Sequence, residues 1–266
     1  MVQKLSIFFL VFFFFGAPLH AEIKISQKPV PPKKELITQQ PIITPINQIP
    51  ASRIHRSLIL PKNLIEGDAI LEYRNLPSGT GFNLLTQAKK TYFDKWMISA
   101  ALSAFPQSNQ GFQFGGILPG FLYEALQEDA KNPEVAAGLQ VGLFGKGPLS
   151  LTKDNTFSVF PQVHLKKRVS EHLALLGSLK AGIGNQNSGL AALNATGLWR
   201  LTQEFDAHLR LDLENLGYDI ESIFSLTPIL EYHTKRDMDV IAGVHVGLSG
   251  ADLLGNNLFA GITKRF

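Results

Sequence analysis

The chain of 266 residues contains no cysteine and carries a formal net charge of only +3 at pH 7. The lack of cysteine excludes disulfides, thiol catalysis and cysteine-based metal sites, and the small charge excludes a basic nucleic-acid-binding surface. Nucleotide- and phosphate-binding motifs are also missing from the sequence, so neither a cofactor nor a nucleic-acid partner is predicted.

The first 21 residues have the pattern of a secretory signal. Lys4 precedes the apolar run LSIFFLVFFFFGA, and the segment ends at Ala21. The alternative interpretation is a membrane anchor, but a spanning helix needs about 20 apolar residues and this run is shorter. The pattern therefore predicts a signal peptide over 1–21 that is cleaved after Ala21.

Proline dominates the following segment, 22–61. Seven of the fifteen prolines lie between Pro29 and Pro61. Proline cannot donate a backbone hydrogen bond and favours an extended conformation. The composition predicts a flexible or semi-rigid periplasmic tether over 22–61, which is either an unpacked linker or a spacer that reaches a periplasmic partner.

Ten segments of about ten to thirteen residues follow, and in most of them apolar and polar residues alternate, as in β-strands. The predicted strands span 95–105, 111–121, 135–145, 156–167, 172–184, 189–201, 204–215, 222–233, 238–249 and 257–266. Tight turns alternate with longer loops such as 146–155, 216–221 and 250–256, which is typical of an up-and-down barrel.

Several stretches leave details of this barrel open. GDAILEYRN and TGFNLLTQ, upstream of residue 95, could add two strands, so the domain over 62–266 has ten or twelve. FLYEALQEDA fits a strand or a short helix. Pro161 and Pro228 fall within predicted strands, and a closed barrel has no edge to accommodate them, so we expect bulges at both positions.

The segment 204–215 has one charged face and one apolar face. Its charged positions, such as Asp206 and Arg210, alternate with apolar ones, such as Leu209 and Leu211. A soluble barrel would turn the apolar face inward, whereas a membrane barrel turns it outward to lipid. A basic group at mid-bilayer costs roughly 2–4 kcal/mol, so in a membrane the charges must face the lumen.

Aromatic residues favour the membrane barrel. Seven of them share the apolar face of their strands and fall near one rim or the other, which predicts two interfacial belts. The first belt contains Trp96, Trp199, Phe205 and Tyr232, and the second contains Phe112, Phe157 and Phe224. The predicted fold class is an all-β, transmembrane, up-and-down antiparallel β-barrel of ten or twelve strands.

The C-terminal sequence NNLFAGITKRF resembles the insertion signal of Gram-negative outer-membrane β-barrel proteins. Members of this class end in an aromatic residue that follows apolar residues at alternate positions. Leu258, Ala260, Ile262 and Phe266 match this pattern, and Lys264 departs from it. The resemblance implies export, insertion by the barrel-assembly machinery, contact with outer-membrane lipids, and a C-terminus and short turns in the periplasm.

The polar face of the strands contains the candidate site residues. The predicted lumen-lining residues are Lys180, Arg200, Asp206, His208, Arg210, Asp212, Glu214, Glu231, His233, Asp239 and His245. Opposite charges on adjacent strands indicate a network that fills and rigidifies the interior. No metal site is predicted, because His208, His233 and His245 lie at different depths.

Three functions are compatible with this interior. Ten or twelve strands lie between the filled eight-stranded barrels and the open sixteen-stranded ones. Small lumen residues such as Gly138 and Gly142 leave room, which favours a narrow, porin-like channel for small polar solutes or ions. The alternative is a structural or anchoring protein with a periplasmic tail. A barrel-embedded hydrolase ranks third: His245 and Ser249 share a face but lie about 13 Å apart along the strand, so no catalytic residue is predicted.

Overall fold

The computed structural model describes residues 52–62, 64–76, 79–107, 111–143, 157–184, 189–215, 223–235, 237–249 and 256–266. These residues form one closed barrel of twelve strands, preceded by a 3-10 turn at Arg53–His55. The predicted fold class is confirmed, with the larger of the two strand counts. The signal peptide over 1–21, most of the tether and the loops at 146–155, 216–221 and 250–255 lie outside the described residues.

Each strand pairs antiparallel with its neighbours along the chain, and β1 pairs with β12 to close the barrel. The strands are β1 Ile65–Leu76, β2 Gly79–Phe93, β3 Trp96–Gln107, β4 Gly111–Leu126, β5 Glu134–Leu143, β6 Phe157–Ser170, β7 Leu173–Gly184, β8 Gly189–Arg200, β9 Phe205–Asn215, β10 Ile223–Lys235, β11 Met238–Ser249 and β12 Asn256–Arg265. No helix long and apolar enough to span a membrane occurs among the described residues.

The two optional upstream segments are strands. GDAILEYRN lies in β1 and TGFNLLTQ lies in β2, and their pairing extends from Ile65↔Lys90 to Leu76↔Gly79. The helix interpretation of FLYEALQEDA is wrong, because residues 121–126 continue β4. Their backbone pairs with β3 on one side, as at Trp96↔Tyr123, and with β5 on the other.

The expected bulges at Pro161 and Pro228 are not observed. Each proline keeps a partner on one neighbouring strand, Leu139 and Leu209 respectively. With the other neighbouring strand, β7 for Pro161 and β11 for Pro228, two residues are unpaired and the pairing then continues in the same register. Both proline rings are exposed on the outer face. The missing donor therefore interrupts the ladder locally without shifting it.

The barrel is apolar outside and polar inside. In β9, Leu209 and Leu211 are 38% and 40% exposed, whereas Asp206, His208 and Asp212 are at most 7% exposed. Large apolar side chains of other strands also face outward, among them Leu71, Ile98, Leu102, Leu175, Leu179, Leu230, Leu258 and Ile262. This arrangement inverts that of a soluble barrel, and it is the one that a lipid environment requires.

The aromatic side chains lie near the strand ends. We call the end where β1 begins and β12 ends the terminal end, and the opposite one the loop end. Near the terminal end, Trp96, Trp199 and Tyr232 are exposed, and Phe205 stacks on Tyr232 with 4.8 Å between ring centroids. Near the loop end, Phe157 and Phe224 are exposed. Phe112 lies in β4, and its side chain is outside the described part of the structure.

Candidate functional site in the barrel interior

Residues 52–60, the inner segment, lie inside the barrel at its terminal end. Ser52, Ile54 and Ile59 are at most 4% exposed. Ile54 packs against Ala174 and Leu198, and Ile59 packs against Met97 and Ala136, so the segment contacts separate stretches of the wall. The tether predicted over 22–61 thus does not extend to residue 61 as an unpacked linker, because its last ten residues include apolar side chains that the barrel buries.

Two arginines of the inner segment bind buried carboxylates of the wall. Arg53 Nε lies 2.8 and 3.0 Å from the two carboxylate oxygens of Glu231. Arg56 donates from Nη1 and Nη2 to the two oxygens of Asp239, at 2.8 and 3.2 Å. Glu231 and Asp239 are fully buried. The Arg56–Asp239 contact is bidentate, whereas Arg53 shares one N–H between the two oxygens of Glu231. Bidentate, charge-assisted contacts are among the stronger hydrogen bonds in proteins.

Both arginines of the inner segment are protonated. The negative charge of Glu231 raises the pKa of Arg53, whereas burial lowers the pKa of Arg56 and the charge of Asp239 opposes this effect. Arginine remains charged in proteins. Both contacts are therefore ion pairs at any pH at which the carboxylates are ionised.

The wall also binds the backbone of the inner segment. Asp206 Oδ2 accepts from the Ser52 hydroxyl at 2.7 Å and from the Arg53 N–H at 3.1 Å. Glu134 accepts from the Leu58 N–H at 2.7 Å and from the Ser57 hydroxyl. On another side, Lys166 Nζ donates to the Arg53 carbonyl at 2.7 Å and to that of Arg56. The barrel thus binds this segment through side-chain and backbone groups alike.

Five buried carboxylates of the wall near the terminal end make up a group that we call the acidic collar: Glu66, Glu134, Asp206, Glu231 and Asp239. Basic groups of the wall contact part of it. Arg265 binds Glu66 at 3.0 Å and also Asp239, and Lys89 binds Glu66 at 3.1 Å. His233 Nδ1 lies 2.8 Å from Asp239, and His208 Nε2 lies 3.1 Å from Glu231.

Two collar carboxylates and a neighbouring histidine could together ligate a metal ion. Potential ligand atoms of Glu231, His233 and Asp239 lie within 4.8 Å of one another. This group was not predicted, because only His208, His233 and His245 were candidate ligands in the sequence. Its carboxylates already contact the guanidinium groups of Arg53, Arg56 and Arg265. A metal ion would have to displace these positive charges, so the collar in this state is a site for guanidinium groups.

The interior beyond the inner segment, toward the loop end, is polar and of mixed charge. Lys180 Nζ lies 4.4 Å from the centre of the Phe160 ring and donates to Gln140 Oε1 at 3.1 Å. Arg210 Nε donates to Asp212 at 2.8 Å. Basic and acidic groups thus both line this half of the described interior.

The structure places the predicted lumen residues in two groups. Those at the terminal end are Asp206, His208, Glu231, His233 and Asp239, and those toward the loop end are Lys180, Arg210, Asp212, Glu214 and His245. Arg200 lies at the terminal rim, where its Nε donates to the Thr202 carbonyl at 3.3 Å.

Sequence reasoning missed two carboxylates of the collar and the basic residues around it. They are Arg53, Arg56, Glu66, Lys89, Glu134, Lys166 and Arg265. A signal for the first two was present: Arg53 and Arg56 are interspersed with Ile54 and Ile59, a pattern that does not fit an exposed linker. Glu66 and Arg265 occupy directly paired positions on β1 and β12, which becomes evident only once the barrel is closed.

Solved structures of outer-membrane channels share this fold. A NanC porin matches with a TM-score of 0.58 at 13% identity, over 74% of this chain and 98% of that one. A KdgM porin matches at 0.57 and 9% identity, over 76% and 99%. An outer membrane channel from Pseudomonas putida F1 matches at 0.61 and 10% identity, over 78% and 97%. No protein family and no curated protein matches the sequence. At these identities the similarity establishes the barrel fold.

Proposed function

We propose that the chain is an integral outer-membrane β-barrel protein whose interior is a narrow channel for small polar solutes or ions. The observation that carries this proposal is the closed twelve-stranded barrel with apolar side chains outside and ionisable ones inside. Twelve strands enclose more space than the filled eight-stranded barrels do. The proteins that share the fold are porins and an outer membrane channel, which supports the same function.

The proposed location is the outer membrane of a Gram-negative bacterium. The secretory signal over 1–21 and the C-terminal pattern that ends at Phe266 support export and insertion by the barrel-assembly machinery. The outward-facing leucines and aromatic residues would contact the membrane lipids. The terminal end of the barrel would then face the periplasm.

One observation favours the alternative function, a structural or anchoring protein. The inner segment lies in the terminal end of the lumen and packs against separate stretches of the wall, so it narrows the path through the barrel. In this alternative the interior contacts only rigidify the barrel, and the Pro-rich tail binds a periplasmic partner. Conductance distinguishes the two functions, because an anchor has no need of an open state.

The main test is the current through purified protein in planar lipid bilayers, and Arg210 is the residue to vary. Arg210 lies near the middle of β9, where it is predicted to be the main positive charge of the lumen face. Its side chain is 40% exposed, toward the interior. Arg210→Ala leaves Asp212 unopposed and should shift the reversal potential across a salt gradient toward cation preference. The shift should be modest, since Asp212 already offsets part of the charge of Arg210 at 2.8 Å.

Leu211→Ala is the matched control for Arg210→Ala. Leu211 is the next residue in β9 and faces outward, so its truncation should leave the reversal potential unchanged. The channel proposal fails if neither the parent protein nor any variant with a released inner segment conducts current. A change in selectivity from Leu211→Ala alone would contradict the assignment of the two faces.

A second test concerns Phe266 and the proposed insertion signal. Phe266 is 68% exposed, while its backbone exchanges hydrogen bonds with Ile65 at 2.9 and 3.1 Å. Phe266→Ala keeps these backbone bonds and removes little buried surface. We expect less folded, heat-modifiable protein in cells and a normal refolding yield in vitro. Equal amounts of folded Phe266→Ala and parent protein in cells would show that the aromatic terminus is not needed for insertion.

A further inference from the structure

The charge of the acidic collar is balanced in part by the inner segment. Glu231 is in contact with Arg53 and Arg56, at 2.8 and 3.7 Å, and both arginines come from this segment. Asp239 binds Arg56 in addition to Arg265 of the wall. Removal of the segment would therefore leave an excess of buried negative charge at the terminal end of the lumen.

The inner segment is structurally separable from the barrel. None of its described residues pairs with a strand, and the twelve-stranded ladder closes without it. Its apolar contacts come from Ile54 and Ile59, which are almost fully buried, and from Leu58 and Leu60, which are partly buried against the same cluster as Ile59. The other contacts that hold it are hydrogen bonds and ion pairs, which water and mobile ions could replace.

One buried atom beside the segment, the Oδ1 oxygen of Asp206, has no hydrogen-bond partner in the described part of the structure. The buried atoms next to it do have charged partners. Glu231 Oε2 lies 2.8 Å from Arg53 Nε and 3.1 Å from His208 Nε2, and His233 Nε2 lies 3.1 Å from Asp206 Oδ2. A buried polar atom without a partner destabilises the state that buries it. Water that enters on release of the segment would hydrate Asp206 Oδ1, which favours reversible rather than permanent packing.

We propose that residues 52–60 form a displaceable plug that closes the channel at its terminal end by placing two guanidinium groups in the acidic collar. This inference rests on the proposed channel function. When the plug leaves, Glu231 and Asp239 lose their contacts with Arg53 and Arg56 and line the conducting path as carboxylates. Acidic side chains that line a pore select for cations, so the open channel favours cations at this end, and small organic cations such as guanidinium compounds fit the collar as ligands.

The test removes the two arginine anchors together, as Arg53→Ala/Arg56→Ala. Arg56 is the deeper anchor, with its side chain 11% exposed against 39% for Arg53. Because the loss of two charge pairs shifts the equilibrium between the closed and open states, we expect the open fraction in planar bilayers to rise about tenfold or more. The reversal potential across a KCl gradient should show preference for K⁺ over Cl⁻.

Lys62→Ala is the matched control. Lys62 lies just beyond the inner segment and pairs at 3.3 Å with Asp94, which is 81% exposed. Its removal takes one positive charge from the same stretch of chain without affecting the collar. The open fraction of Lys62→Ala should equal that of the parent protein.

A disulfide lock tests displacement directly. The chain has no native cysteine, and Ile54 packs against Ala174 of β7. Ile54→Cys and Ala174→Cys are added to the Arg53→Ala/Arg56→Ala variant, and formation of the bond is verified by mass spectrometry. The current should be blocked when the bond is formed and should appear on reduction.

The outcomes separate the plug from the channel function. Equal currents in the parent, the double-alanine variant and the oxidised lock would disprove the plug and leave the channel intact. A released channel that prefers Cl⁻ would disprove the role of the collar. If heat-modifiable, folded protein passes no current in any variant, the channel function itself is wrong, and the plug proposal fails together with it.

Discussion

Replacing Arg265 by alanine is expected to lower the free energy of unfolding by about 3 kcal/mol. Arg265 is 1% exposed, binds Glu66 at 3.0 Å and also contacts Asp239. Removing one partner of a buried ion pair typically costs about 3–5 kcal/mol, because the other charge stays buried. We expect the lower end of this range, since Asp239 retains Arg56 and Glu66 retains Lys89.

Lys264→Ala is the matched control for this loss. Lys264 is the preceding residue of β12 and pairs with Asp237, but its side chain is 40% exposed. Exposed ion pairs contribute about 1 kcal/mol or less. Urea unfolding of refolded protein in lipid vesicles measures both variants. Similar midpoints for Arg265→Ala and Lys264→Ala would show that the collar is solvated rather than buried.

Gly138→Ala is expected to impair assembly through steric conflict between β4 and β5. A Cβ atom at this position would lie 1.9 Å from the Phe121 carbonyl oxygen and 2.9 Å from Leu122 Cδ2. The first distance is far below any van der Waals contact, and the neighbour is backbone, so the two strands must separate. Overpacking typically costs about 1–3 kcal/mol, and we expect the upper end of this range together with a smaller folded fraction.

Gly177→Ala provides the comparison within the same barrel. Gly177 is also inside a strand, β7, but its new Cβ atom would be 3.9 Å from the nearest oxygen, that of Asn194. This is an ordinary contact, so the folded fraction should be unchanged. The fraction of heat-modifiable protein after refolding gives the result for both variants. A normal yield for Gly138→Ala would contradict the close approach of β4 and β5.

Most of the fold could be predicted from the sequence because barrel strands have a period of two that residues such as Asp206 and Leu209 follow closely. The strand count was ambiguous only where alternation is weak, as in TGFNLLTQ. Gly138 illustrates a limit. Sequence reasoning assigned it to open space in the lumen, whereas the structure uses it for close strand contact. A small side chain indicates that space is needed, but it does not show which atoms occupy that space.

The candidate site was harder to predict than the fold. Asp206, Glu231 and Asp239 were assigned to the lumen on strand parity, but their partners Arg53 and Arg56 lie more than 150 residues away in the chain. No strand periodicity links such residues. Proline composition favoured an extended tether and outweighed the signal from the apolar positions Ile54 and Ile59 near its end. Contacts between a barrel wall and a segment without secondary structure depend on shape and charge, which single-sequence patterns do not encode.

The inner segment precedes β1 by only a few residues, and this short connection has a thermodynamic consequence. A tethered ligand acts at an effective concentration that is set by its linker, in the millimolar range for short flexible ones. Residues 52–60 therefore need only weak intrinsic affinity to occupy the collar most of the time. A free competitor of equal affinity must reach a similar concentration to displace them, so a pull on the preceding chain is a more effective means of release than any dilute solute.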